Sequence, residues 1–528
     1  MIRFRSLELE GFKNVGQGRV VLSNVTSIDD IGGGADIVGL YGQNGSGKTS
    51  FVQALSVIKY LMSGETLDSK FKEYISSERG FMDIKVEFFV AYGDDDALSD
   101  YILGIVDAVP EHTPYIGTYA VRIGSYLGRA PLVLSESLSC KDISAGESMH
   151  VVFSWELADG GRGGEPPLTS VPGMSDALTK IVDSASEEWS FDLGQIAPAS
   201  RWQAFLGTGN ALSSRFEAMR SQSFREGSSL LFSSGFMAIA AECLSRDGAK
   251  ATKGSRDAIA RVLRPSLNIS ATCRYFATKN MVVLPTAHQG VLPLRFLPLA
   301  SHEGEHGDYA DNFIFLDIDS EIEMDSKMVE EIERTLENVN DVIGEIVPGL
   351  KVTVKRLGRI VGSNGETLER IGLLSVRGDV AVPLRNESEG IQKLLSIVSL
   401  LIDVHSNPAT LVGIDEFDSG VFEYLLGEIL QALSEHGYGQ LVFTAHNLRP
   451  LEVLPSSSIC FTTAEPDNRY VRARGVRGSN NLRSMYLRTI RLGSDEEDMY
   501  VSTSPLRIDG ALYEAGARVR EMLRKTRD

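Results

Sequence analysis

The stretch Ile37 to Leu55, IVGLYGQNGSGKTSFVQAL, constrains this chain more than any other. Its centre, Gly42-Gln43-Asn44-Gly45-Ser46-Gly47-Lys48-Thr49, fits G-x-x-x-x-G-K-S/T, with the apolar, β-branched run Ile37, Val38 and Leu40 before it and helix formers after it. A strand, a glycine-rich loop and a helix in that order form a P-loop. The glycines let backbone N–H groups turn inward around nucleotide phosphates, and the helix that follows offers its positive N-terminus to the same charge. Lys48 is expected to reach the β- and γ-phosphates and Thr49 to hold Mg2+ through its hydroxyl. Ser50 is counted with the nucleotide-binding residues, so an α/β fold is expected.

The 528 residues, 43% of them hydrophobic, leave room for two to four globular units. The opening MIRFRSLELE alternates charged and apolar residues as a strand does, which is unlike a signal segment. No run approaches the roughly 18 apolar residues of a membrane span. The longest, Leu394 to Val404, is broken by serines and Asp403. Cys140, Cys243, Cys273 and Cys460 are scattered without C-x-x-C pairing, so neither a zinc site nor a disulfide framework is expected. A cytoplasmic protein with no membrane association follows.

The formal net charge of -19 argues against a surface coated for nucleic acid. One basic stretch departs from it: Arg469, Arg472, Arg474, Arg477, Arg483, Arg488 and Arg491 occur with no acidic residue among them. It reads as a solvated, arginine-rich strand pair or partner surface, with a DNA contact as the alternative.

Along the chain, residues 2 to 22 read as two strands joined at Gly11-Phe12-Lys13-Asn14. The P-loop strand follows, then a helix from Lys48 to about Met62. Phe81 to Ala91, Tyr115 to Ile123 and Pro131 to Leu138 read as further strands. Ala158 to Gly173, ADGGRGGEPPLTSVPG, reads as a connector. Beyond it, to about residue 345, helices with polar loops are expected, among them Phe236 to Arg246, Ser255 to Leu263 and Ser326 to Ile346. None sustains the heptads of a coiled-coil arm. Val352 to Val382 returns to strands, with a hairpin signal at Ser363-Asn364-Gly365.

Three motifs then follow in quick succession. Asn386-Glu387-Ser388-Glu389-Gly390 opens an apolar helix, Ile391 to Val404, and a helix N-terminus is a ready-made phosphate site. Leu411-Val412-Gly413-Ile414-Asp415-Glu416 is a buried-strand run ending in two acids, a Walker B pattern. Asp415 would complete the Mg2+ shell, and Glu416 would orient or deprotonate the attacking water. Leu441 to Ala445 is a strand ending at His446-Asn447, which places an imidazole at the carboxyl end of the sheet.

P-loop, Ser-x-Gly helix start, strand-Asp-Glu and strand-end histidine, in this order, resemble the ABC-type ATPase heads of the SMC, RecF and OLD group. The opening strand pair with its GFKN turn resembles that group as well. The resemblance implies a head split into two lobes, residues 1–157 and 346–463, with a mainly helical domain inserted at 158–345 and an arginine-rich extension at 464–528. It implies a homodimer sandwiching two ATP molecules, each held by the P-loop of one copy and the signature of the other. On that reading Ser388 and Gly390 contact the γ-phosphate in trans, His446 senses it as the switch histidine, and Asp418-Ser419 lie near the subunit-crossing loop. Two departures stand out: the signature is Glu387-Ser388-Glu389-Gly390 rather than Leu-Ser-Gly-Gly-Gln, and no glutamine closes the strand Phe81 to Ala91 to complete the Mg2+ shell.

Two other motifs compete for attention. His302-Glu303-Gly304-Glu305-His306 fits H-E-x-x-H, in which two histidines one helical turn apart bind zinc. Its flanks lack an apolar helical face, and it reads as a polar loop. Asp317-Ile318-Asp319 with Glu321, Glu323 and Asp325 could suggest a nuclease centre but reads as a charged edge strand leading into a helix. The expected activity is hydrolysis of ATP with Mg2+, its dimer closure switching a separate effector protein in a bacterial antiphage defence or toxin module. Only 82 residues follow His446, short for an attached nuclease domain. The alternative is a RecF-like ATPase that binds DNA through Arg469 to Arg491.

Overall fold

The computed structural model describes residues 1–31, 34–91, 114–125, 130–146, 148–156, 211–245, 253–285, 296–300, 313–362, 365–472, 482–492 and 504–525. The alternating opening forms β1 (Ile2–Phe12), turns at Lys13 and Asn14, and returns antiparallel as β2 (Val15–Val21). The P-loop strand, β3 (Asp36–Tyr41), leaves this sheet. The chain comes back to it as β4 (Phe81–Val90), β5 (Tyr115–Ser125), β6 (Pro131–Asp142) and β7 (His150–Glu156). The six strands lie in the order β2-β1-β4-β5-β6-β7, all antiparallel. β7 was not legible beforehand.

The second sheet gathers strands from distant parts of the chain: β8 (Met281–Leu284), β15 (Leu411–Ile414), β16 (Gln440–Thr444), β17 (Ile459–Thr462) and the short β18 (Tyr470–Val471). Their order is β18-β17-β3-β16-β15-β8, parallel except for β18. These strands are near-continuous apolar runs, as a parallel sheet covered on both faces requires. β8 lies within the stretch expected to be an inserted domain, yet it is the outer strand beside the Asp415 strand. Its four residues, MVVL, are too few for periodicity to reveal a sheet partner.

Helix α1 (Lys48–Ser63) lies between the sheets. Phe51, Val52, Ala54, Leu55, Val57, Ile58, Leu61 and Met62 are all buried, and a helix apolar on every side is a core helix. Helices α2 (Ala211–Glu226), α3 (Ser234–Ser245) and α4 (Lys253–Lys279) extend the same core. α4 runs well beyond the helix read at Ser255 to Leu263, continuing through Pro265 to Lys279.

A second core forms beneath the other face of the parallel sheet. Helix α5 (Ser326–Ile346) buries Val329, Ile332, Leu336, Val339 and Ile343, a stripe at three- and four-residue steps, and Asp325 caps it by accepting from Met328 N at 2.9 Å. It packs on β12 (Leu350–Val361), which pairs with β13 (Thr367–Arg377). β14 (Val380–Pro383) and β11 (Ile322–Met324) flank β13, and β9 (Phe296–Ala300) pairs with β10 (Phe313–Asp317). Helices α6 (Glu389–Ser406) and α7 (Glu423–His436) complete the layer.

The two sheets are joined by side chains whose partners lie far away in sequence. Gln440 uses both ends of its amide on one residue of β1, donating to Phe4 O and accepting from Phe4 N, each at 2.8 Å. Buried Arg3 pairs with Asp36 at 2.8 Å and donates to the carbonyls of Pro408 and Tyr438. Burial lowers the Arg3 pKa while Asp36 opposes the shift.

Other expectations meet the structure as follows. Residues 158–173 and the His302 to His306 motif lie outside the described residues, as do Ser363 and Asn364, although the strands they join are paired. Asp317 accepts from Asp319 N and Ser320 Oγ in a local turn. No cluster of metal-binding side chains is found among the described residues. All four cysteines are buried as thiols. Among the described residues no helix is long and apolar enough to cross a membrane.

Candidate active site

Four of the parallel strands end at one edge of the sheet with polar residues, the place where open α/β sheets bind ligands. β3 runs into the P-loop and α1. A Cβ on Gly42 would lie 1.9 Å from Thr462 Oγ1 at the end of β17, so only glycine allows the loop to leave the strand there. Ser46 Oγ donates to Gln43 O at 2.6 Å and also meets Thr462 Oγ1. Lys48 is buried and folds back over its own loop, donating to Gly42 O at 2.8 Å and Gln43 O at 3.0 Å. Asn44 and Gly45 form the exposed crest. Burial lowers the Lys48 pKa, opposed by Asp415, Asp418 and Glu416 in that order.

The loop is braced from outside by residues that the motif reading did not single out. Asn14, in the β1–β2 turn, donates its amide to Gly45 O and accepts from Ser50 Oγ at 3.1 Å. Tyr470 OH donates to Gly47 O at 2.8 Å. Arg469 is buried and bonds Thr463 O at 2.7 Å as well as Asn14 O. Ser50 therefore serves the brace through its side chain. Three members of the arginine-rich stretch have partners within the chain. Arg469 and Arg472 tie the C-terminal strand to loop and strand carbonyls, and Arg483 pairs with Glu452 at 2.8 Å. Arg469 is buried, and half-buried Arg472 and Arg483 are engaged by partners within the chain. Residues 473–481 lie outside the described residues.

At the end of β15, Asp415 is 2% exposed. Its Oδ1 accepts from Thr444 Oγ1 at 2.6 Å and from Thr49 Oγ1 at 3.3 Å. The same Thr444 oxygen accepts from Glu416 N at 2.8 Å. One hydroxyl thus fixes both acids. Glu416 has φ 49°, one of two positive-φ residues other than glycine among the described residues. Such strain in a non-glycine residue is held only where the surroundings over-determine it, and functional sites collect it. Asp418 accepts from His446 N at 2.9 Å and Asn447 N at 2.6 Å. His446 is exposed at the end of β16.

Helix α6 starts at the expected place, with Ser388 as its N-cap. The Ser388 side chain makes no capping bond, and Ser388 and Glu389 are exposed. The preceding residue is held instead: Glu387 accepts from Arg377 at 2.6 and 3.1 Å and from Ser375. These bonds, the one from Arg377 foremost, lower the Glu387 pKa. Gly390 abuts Gly420, beyond the two acids. The expected residues therefore divide in two. Lys48, Thr49, Asp415, Glu416 and His446 gather at one edge, whereas exposed Ser388 and half-buried Gly390, which packs on Gly420, form a separate helix start.

Thr49 and Asp415 are an oxygen pair of the kind Mg2+ accepts, and the buried Lys48 suits a polyphosphate. A helix opening directly behind a glycine loop and a strand-end acid one strand away in the sheet decide the architecture. The fold is an α/β fold of the P-loop type.

The family profile described as "AAA domain, putative AbiEii toxin, Type IV TA system" matches residues 251–452. That span holds β8, the helix start at Ser388, the Asp415 strand and His446, and it begins after the P-loop. No curated protein matches the sequence. Among solved structures, the SMC head domain from Thermotoga maritima aligns with 89% of this chain and 99% of its own, at 13% identity and a TM-score of 0.31. The SMC head with an extended coiled coil bound to the C-terminal domain of ScpA, from Pyrococcus furiosus, aligns with 93% and 100%, at 11% identity and a TM-score of 0.36. At these scores the overlaps are loose, and the assignment stands on strand order and the P-loop.

Proposed function

We propose that the chain hydrolyses ATP in composite sites shared by two copies, and that opening and closing of this dimer switches a separate effector protein. The observation that carries the reading is the division of the site. Buried Lys48 shares its field with Asp415 and Glu416, while Ser388, expected to finish a nucleotide site together with Gly390, is exposed at a separate helix start. In this scheme the P-loop amides and Lys48 bind the phosphates. Mg2+, held by Thr49 and Asp415, would neutralise phosphate charge. Glu416 takes the proton of the attacking water, and His446 monitors the γ-phosphate. The second copy supplies Ser388 and Gly390.

The head, on this proposal, comprises residues 1–157 and a second half that resumes with α4 and β8 and runs to 463, so the inserted domain is shorter than residues 158–345. Its biological setting is a defence or toxin module, a reading supported by the toxin–antitoxin description of the matching family. The engagement of Arg469, Arg472 and Arg483 by partners within the chain weighs against a DNA-binding role.

Glu416→Gln is expected to accumulate an ATP-bound dimer with little turnover, and Lys48→Ala to abolish nucleotide binding. Light scattering with and without ATP, together with phosphate release, reads both. Normal hydrolysis by both variants would sink the proposal.

A further inference from the structure

Helix α6 opens on a serine whose side chain makes no capping bond, and both Ser388 and Glu389 are exposed. The residue in front of them is held firmly. Glu387, its side chain 8% exposed, takes a fork from Arg377, with Nη1 donating to Oε1 at 2.6 Å and Nη2 to Oε2 at 3.1 Å, and Ser375 Oγ donates to the same Oε1. Both donors belong to β13. The Glu387 amide closes the 3-10 turn Leu384–Asn386 by donating to Leu384 O at 3.1 Å. Gln392, one turn into the helix, brings its amide nitrogen within 3.1 to 3.3 Å of the carbonyls of Leu384, Arg385 and Glu387.

Filling space at this turn does not call for a carboxylate. A buried ion pair is often no more stabilising than apolar side chains of the same volume, because both charges have to leave water. What a fork on a carboxylate adds is direction, since two parallel bonds fix rotation as well as distance. Glu387 is also the first of the departures from Leu-Ser-Gly-Gly-Gln. Two residues beyond Ser388 the helix start meets a second support, where a Cβ on Gly390 would lie 2.4 Å from Gly420 O. Backbones pressed this closely cannot shift independently. The start of α6 is thus seated on β13 through Glu387 and on the segment after the two acids through Gly390.

We propose that Glu387 is a positioning residue: its bonds to Arg377 and Ser375 fix where Ser388 and Gly390 stand, so that they meet the nucleotide held by a second copy. This rests on the composite-site reading above. The effect belongs to the half of the site given to the other chain. A copy whose Glu387 is released keeps its own P-loop, Lys48 and Glu416, and fails only as the donor of Ser388 and Gly390.

The test uses the full chain as wild type, Glu387→Leu, Arg377→Met, Ser388→Arg and Lys48→Ala, alone and in equimolar pairs. Binding of a fluorescent ATP analogue and phosphate release over a range of ATP concentrations are measured. Glu387→Leu and Arg377→Met are each expected to bind the analogue within about threefold of wild type while kcat falls about tenfold or more. Lys48→Ala, expected to be inactive alone, has an intact helix start and should restore turnover when mixed with Glu387→Leu, because that pair assembles one complete site. Ser388→Arg mixed with Lys48→Ala is the control for the composite site itself. Recovery in the control pair without recovery in the Glu387→Leu pair would overturn the positioning role alone. Wild-type kcat in Glu387→Leu would overturn it too, as would loss of analogue binding in both Glu387→Leu and Arg377→Met, which would make the pair a prop of the fold. No recovery in the control pair, or no phosphate release by wild type, removes the composite-site reading and the positioning role together.

Discussion

At the scale of single residues, the site depends on one hydroxyl that joins two acids. Thr444 donates to Asp415 Oδ1 at 2.6 Å and accepts from Glu416 N at 2.8 Å, and it is 1% exposed. Thr444→Val keeps the shape and removes both bonds, leaving a buried amide and a carboxylate oxygen short of a partner. The expected loss is about 1 to 3 kcal/mol, read as a lower urea midpoint, with reduced turnover because Glu416 is no longer pinned in its strained conformation. Threonine at this position was visible in the run Leu441-Val442-Phe443-Thr444, but its role was not. The spacing of Gly42 to Thr49 and the pair Asp415-Glu416 are local patterns, and a sequence displays local patterns directly. Asn14 on Gly45, Thr462 on Ser46 and Tyr470 on Gly47 connect positions far apart in the chain, and nothing in their immediate neighbours encodes those meetings.

At the scale of elements, α6 is anchored just before it begins. Arg377 of β13 holds Glu387, whose side chain is 8% exposed against 39% for the arginine. The bond from Arg377 lowers the Glu387 pKa. A carboxylate with a depressed native pKa contributes stability that is complete above its unfolded value, about 4.3, and that is lost as the pH falls through the native value. Arg377→Met should therefore cost about 1 kcal/mol at pH 7, a figure that allows for solvent around the guanidinium. The gap between variant and wild type should close as the pH drops below the ordinary carboxylate range. Urea midpoints at pH 7 and at acidic pH check this, and a gap that persists in acid would show that the pair is not its source. Helices and long strands such as α1, α5 and β4 were legible because their burial follows one period. β8 was not, since a four-residue run in a parallel sheet carries no period to read.

At the scale of the whole molecule, the antiparallel and parallel sheets become one body through Gln440 and Arg3. Gln440→Leu leaves Phe4 N and O buried without partners, and roughly 2 to 4 kcal/mol should be lost. A denaturant titration should show a lower midpoint with an unchanged slope if the two sheets still unfold together, and two separate transitions if the side chain is what makes them cooperative.

The strand order also carries a consequence for synthesis. β3 is sandwiched between β16 and β17, so both neighbours of the P-loop strand are made long after it. At roughly 5 to 20 residues per second, a ribosome takes on the order of 20 to 80 s to travel from the end of β3 to the end of β17. Through that interval Ile37 to Tyr41 is an apolar segment with two bare edges, the kind of nascent chain that holdase chaperones cover. A nucleotide cannot help the young polypeptide fold before β17 is made, because the pocket that would grip it is incomplete until then.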